Sequence, residues 1–155
     1  MNPLKPLVKE IRRFSGKWEA LSNFYRSPVI WRGQVWDTSE HAYQAAKTDD
    51  LVWQRKIRLA RTPGVARSLG QLCPLRKNWD EEQLAVMEQI LRQKFKNAVP
   101  AGVLGSTGNA ILIEGNTWGD TYWGVCGGIG ENHLGRLLMK IRPECQSLGL
   151  WDVSI

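Results

Sequence analysis

The 155-residue chain is predicted to be mainly α: a compact multihelical single domain with a small β element. Three observations carry this. Apolar residues recur at helical spacing in two long stretches, Leu84, Met87, Leu91 and Phe95 in one and Leu134, Leu137, Leu138 and Ile141 in the other. Runs with strand character are few and short. No internal repeat, linker or low-complexity tract interrupts the chain, and its length suits one domain able to bury a core.

Taken in order, residues 1–13 read as an N-terminal arm, with charges but no apolar core of signal-peptide length. Val29-Ile30-Trp31 and Gln34-Val35-Trp36 flank Arg32-Gly33, a hairpin pattern. A helix is expected from Ser39 to Lys47. Asp49 can cap a second helix carrying Ile57. Thr62-Pro63 is a cap followed by proline at the first helical position, with Gly70 closing that helix. Asp80 is expected to cap the longest helix, ending near Asn97. Residues 98–109 read as a Gly/Pro-rich connector with one helical turn near Val103-Leu104. Ala110 to Glu114 reads as a short buried strand, followed by a glycine-rich loop from Gly115 to Gly130. A last helix from Asn132 to Arg142 should be ended by Pro143. The expected organisation is therefore an arm over 1–13, a domain over 14–143 and a tail over 144–155.

The composition narrows the function. The net charge of +6 favours anionic partners such as phosphates, nucleotides or nucleic acid. Eight tryptophans are many for so short a chain, and indoles stack on flat heterocycles as well as filling cores. No apolar run approaches bilayer length, so no membrane association is expected and the cytoplasm is the expected compartment. Cys73, Cys126 and Cys145 are odd in number and lack metal-ligand spacing, which fits free thiols in a reducing compartment. Neither a metal nor a cofactor is expected.

Candidate chemistry begins at Asp37 to Lys47, where Glu40, Tyr43 and Lys47 fall on one helix face. Glu40 reads either as the second half of a capping box with Asp37 as N-cap, or as a carboxylate at a pocket floor. Lys47 reads as a solvated lysine, or as an amine that binds phosphate or attacks a sugar C1. Asp120 and Trp123 sit three apart in the glycine-rich loop, as an aromatic plug or as a second carboxylate beside a stacking platform. Arg76-Lys77 beside Trp79 is a solvated basic turn or a phosphate site next to a stacked ring. Asn23 and Asn132 are orienting amides or turn and cap residues. His41 and His133 lack metal spacing and read as core or surface residues. Two carboxylates flanking a stacking surface suit cleavage of an N-glycosidic bond, which passes through an oxocarbenium-like sugar. The rival classes are a nucleic-acid-binding module without catalysis and an idle binder of ADP-ribose or nucleotides.

Leu21-Ser22-Asn23-Phe24, Thr38-Ser39-Glu40-His41 with Gln44 and Lys47, Pro74 to Trp79, Lys94-Phe95, Asp120 with Trp123-Gly124, and the Gly130 to Met139 run occur in this order. Together they resemble the NADAR superfamily, the YbiA-like N-glycosidases, over about Phe14 to Arg142. The resemblance implies a mainly helical YbiA-like fold and a metal-free hydrolase of N-glycosidic bonds. It implies two substrate classes: phosphorylated ribosylamino-pyrimidine intermediates of riboflavin synthesis, and ADP-ribose attached to guanine in nucleic acid. Carried over position by position, Glu40 and Asp120 match the family's acidic site residues, Trp79 and Trp123 its site tryptophans, and Lys47 the lysine closing the Glu-His motif. A lysine that traps the sugar covalently would be Lys47 or Lys17. On this reading Glu40, Asp120 and Lys47 carry catalysis, and Trp79, Trp123, Asn23, Arg76, Lys77 and Asn132 bind substrate.

Overall fold

Helices dominate the computed structural model, which describes residues 9–149. The expected arm up to residue 8 and the expected tail from residue 150 lie outside these described residues. Two compact units are distinguished, one made of residues up to Leu21 together with those from Ala101 onward, the other of Ser22–Pro100.

In the Ser22–Pro100 unit the hairpin forms as its residues demand. Strands β2 (Val29–Trp31) and β3 (Gln34–Trp36) pair antiparallel, with Val29 opposite Trp36. Arg32 and Gly33 both take positive φ, as a two-residue hairpin turn requires. Helix α1 (Ser39–Ala46) is buried along its whole length, which explains its mixture of alanine and polar residues: no face is left for solvent. Helix α2 (Leu51–Arg58) is capped by Asp50 rather than by the expected Asp49; its carboxylate accepts the N–H groups of Val52 and Trp53. The expected cap of helix α3 (Pro63–Gly70) is present, Thr62 accepting the Val65 N–H with Pro63 just inside. Helix α4 (Trp79–Lys94) starts one residue before the expected cap. Asn78, in the left-handed region, is the N-cap, and Asp80 lies in the first turn with Glu81 and Glu82, where acids suit the helix dipole. Its buried face is Val86, Met87, Ile90, Leu91 and Lys94, so the expected core residue Leu84 is instead exposed.

The expected connector after residue 98 is a full helix, α5 (Ala98–Ser106). Pro100 sits in its first turn, where the missing N–H has no intrahelical partner to lose. In the other unit, β1 (Glu10–Ile11) pairs parallel with β4 (Ile111–Leu112), and β5 (Gly115–Asn116) with β6 (Val125–Cys126). A 3-10 helix covers Gly16–Leu21. Helix α6 (His133–Gly149) is the longest among the described residues and runs straight through Pro143, contrary to the expected stop. The reason is tertiary. Leu138 and Ile141 before the proline and Cys145 after it are all buried, and Gln146 donates to the Gly108 carbonyl. These contacts outweigh the one hydrogen bond that proline removes.

Candidate active site

The N-terminus of α1 decides what Glu40 is for. Thr38, not Asp37, is the N-cap: its hydroxyl accepts the His41 N–H at 3.1 Å. The capping box with Asp37 as N-cap is therefore absent, and Glu40 is the second helical residue. Its backbone N–H donates to the Asn23 carbonyl, and Ser39 Oγ donates to Asn23 Oδ1 at 2.8 Å. Asn23, itself buried, thus ties the opening turn of α1 in place. His41 is a core residue, its ring bonded to Thr38 Oγ1 and the Ala60 carbonyl.

Glu40 is 8% exposed, and its carboxylate accepts a hydrogen bond from Gln44 Nε2 at 2.7 Å, one turn along the helix. A hydrogen bond to a charged acceptor contributes about 1.5–3 kcal/mol. The opposite end of the same amide, Gln44 Oε1, is buried without a donor among the described residues. An orphaned acceptor costs about 1–3 kcal/mol, so the two effects offset.

Lys47 is the C-cap of α1 and lies over the Tyr43 ring, 5.6 Å from its centroid. Burial pushes its amine below the usual lysine range; Glu40 and Cys73 oppose this, and Arg67 adds to the lowering. Burial likewise pushes the Cys73 thiol up, against the positive charge of Lys47. Glu40, Tyr43 and Lys47 thus share the face that their spacing implies.

Tyr43 packs on Trp79 with ring centroids 5.5 Å apart. Trp79 is only 5% exposed, and the Arg76 guanidinium lies over its ring at 5.3 Å. Arg76 also pairs with Glu82 at 2.6 Å, and its Nε is buried with no acceptor among the described residues. The Arg76 N–H donates to the Lys47 carbonyl at 2.8 Å, so the basic loop is anchored to the end of α1. Lys77 is exposed.

Asp120, Trp123 and Asn132 belong to the other unit. Asp120 Oδ1 accepts the N–H groups of Tyr122 and Trp123, at 3.1 and 2.9 Å, and its own backbone is clasped by the Asn116 amide. Trp123 is partly exposed and meets Tyr122 edge-on at 4.9 Å. The Asn132 amide is committed to backbone: it accepts from Glu114 N and donates to the Leu112 carbonyl. Lys17 is exposed, over the Trp18 ring.

Three residues gain weight beyond the expected site. Gln44 stands four after Glu40, a spacing that signals contact on a helix, and the fully buried Lys94 donates to the Ser22 carbonyl; both fall in the motifs of the resemblance, whereas Cys73 had no local signal. Among the described residues, no group of three or more His, Cys, Asp or Glu side chains is placed to hold a metal ion. No helix among them is long and apolar enough to cross a membrane.

Residues 12–146 match the NADAR domain model, and the chain belongs to the NADAR family. It is 42% identical to N-glycosidase YbiA of Escherichia coli over 127 residues, which is 79% of each protein. It is also 38% identical to a riboflavin biosynthesis protein of Vibrio vulnificus, over 81% of this chain and 35% of that one. The NMR structure of Escherichia coli YbiA superposes with a TM-score of 0.78 at 34% identity, covering 99% of this chain and 91% of that one.

Proposed function

We propose that this NADAR-family chain, an N-glycosidase, hydrolyses the bond between a ribose phosphate and a heterocyclic base, with ribosylamino-pyrimidine phosphates of riboflavin synthesis as the first substrates to test. The observation that carries the proposal is the α1 face, where the buried Glu40 carboxylate and the Lys47 amine, held below the usual lysine range by burial, act on each other two turns apart on one helix. Such a pair suits nucleophilic catalysis, because a lysine attacks only as the neutral amine. The relationship to a riboflavin biosynthesis protein supports the substrate class.

In the proposed reaction the Lys47 amine attacks C1 of the ribose. Glu40 receives the proton lost by the amine. The C1–N bond to the base breaks, and the base leaves with the bonding pair and takes that proton from Glu40. The sugar ring then opens to an imine on Lys47, water adds to C1, and the sugar phosphate departs with Lys47 restored. Arg76 and Lys77 draw in the phosphate through their positive charge. Trp123 has surface to give to a base, whereas Trp79 braces Tyr43 and Arg76. Asn23 and Asn132 act through backbone positioning. For Asp120, the Asp120→Asn variant, which keeps the Oδ1 acceptor, separates a chemical role from its turn-holding role.

The test is to incubate the purified protein with ribosylamino-pyrimidine phosphates and follow base release. Glu40→Ala and Asp120→Ala should each lower the rate by at least about a hundredfold. Borohydride added during turnover should leave a sugar adduct on Lys47, absent in Lys47→Arg. Parent-like rates in both acid variants overturn the proposal.

A second reading, removal of ADP-ribose from guanine in nucleic acid, is favoured by one observation. Between Leu51 and Trp79 the chain carries Arg55, Lys56, Arg58, Arg61, Arg67, Arg76 and Lys77 without one acidic residue. A phosphate backbone would match that run. Release of guanine-containing DNA from its ADP-ribosylated form is the corresponding assay.

A further inference from the structure

We infer that Gln44 is a positioning residue that helps hold the Glu40 carboxylate ionised and oriented, and that Gly70 is a glycine in order to admit it. This rests on Glu40 acting in the glycosidase reaction, and the test below reads the Glu40 carboxyl directly so that the two claims fail separately. Gln44 Nε2 donates to Glu40 Oε1 at 2.7 Å. A carboxylate oxygen so close requires an N–H opposite it, which turns Gln44 Oε1 away from Glu40. That oxygen is buried and meets no donor among the described residues. Facing it is α3. A Cβ built at Gly70 would fall 1.9 Å from Gln44 Oε1 and 2.9 Å from Gln44 Cβ. The conflict reaches the root of the glutamine, so turning its tip does not relieve it.

Gly70 is the last residue of α3 and is not among the positive-φ glycines, so its backbone makes no demand for glycine. Glycine is a poor helix residue, and space for Gln44 is the reason the geometry supplies. An amide kept at the expense of an orphaned acceptor and a helical glycine adds little to folding. Its effect falls on Glu40, where a donated hydrogen bond favours the charged form. Ionisable groups around this cluster include Lys47 on the same helix, on which Glu40, Cys73 and Arg67 of α3 all act.

The experiment follows the Glu40 side-chain carboxyl carbon by NMR across pH in the labelled full chain, assigning the signal by its loss in Glu40→Gln. Gln44→Met keeps an unbranched side chain of similar length without the donor. It should move the Glu40 titration midpoint up by about one pH unit. Gly70→Ala should move it in the same direction by displacing the amide. The acid limb of kcat/KM should move with the carboxyl signal, with kcat falling more than KM rises. A midpoint unchanged in both folded variants overturns the inference. Gln44→Glu, which retains length and polarity, gives the same reading if Gln44→Met does not fold, since a second carboxylate one turn away should raise the midpoint further. If the parent cleaves no ribosyl substrate, the glycosidase assignment fails while the titration still decides the role of Gln44.

Discussion

At the scale of single residues, Lys47 carries a stability consequence with a definite sign. Its amine titrates below the ordinary lysine range in the fold, chiefly through burial. Between the folded and unfolded values the unfolded chain binds the extra proton, so stability rises with pH across that window. Below the folded value both states are protonated and the cost of burying the charge is present in full. Lys47→Met should therefore raise the melting temperature at neutral pH, with the gain shrinking as pH climbs towards the unfolded lysine value, while activity is lost. A melting temperature that falls at pH 7 in Lys47→Met would show that the charge is stabilising where it sits. Spacing in the sequence was enough to place Glu40, Tyr43 and Lys47 on one face. It could not separate Trp79 from Trp123, because burial of an indole is set by packing: Trp79 is enclosed by Tyr43 and Arg76, and Trp123 keeps exposed surface.

At the scale of elements, the opening of α1 is the joint between folding and chemistry. Thr38 is almost wholly buried, caps the helix through His41 N, and holds the His41 ring at 2.7 Å. Thr38→Ala should cost about 1–2 kcal/mol in chemical denaturation, the usual range for a lost cap. Asp37→Ala should be within about 0.5 kcal/mol of the parent, as expected for a partly exposed residue outside the cap. Equal losses in the two variants would restore Asp37 as a capping residue. Caps were legible where the side chain and the turn were unambiguous, as at Thr62-Pro63. They slipped by one residue where two candidates adjoin, as in Asp49-Asp50 and Asp37-Thr38, because only three-dimensional geometry selects the oxygen that reaches the second or third N–H. Helix α6 ran past Pro143 for a different reason: the buried Cys145 and the Gln146 bond lie beyond any local propensity.

At the scale of the whole molecule, the surplus of positive charge is concentrated, not spread. The acid-free run from Leu51 to Trp79 holds seven cations, more than the net charge of +6 for the chain. Arg55, Lys56 and Arg61 are exposed and stand apart from the α1 cluster in sequence. A small phosphorylated substrate can touch only a few cations, whereas a polynucleotide would engage many and release a counterion for each phosphate neutralised. The two substrate classes therefore separate by salt and by charge reversal. With Arg55→Glu and Lys56→Glu combined, kcat/KM on a ribosylamino-pyrimidine phosphate should stay within about twofold of the parent. Its dependence on salt from 50 to 200 mM, concentrations at which polynucleotide binding weakens by orders of magnitude, should be shallow. If ADP-ribosylated DNA is instead the better substrate, the same double variant should lose at least about tenfold on it and flatten the salt slope by about two, one for each phosphate contact removed. Measuring both substrates on both proteins across salt assigns Arg55 and Lys56 either to substrate recognition or to solvent, and the small-molecule proposal requires the second outcome.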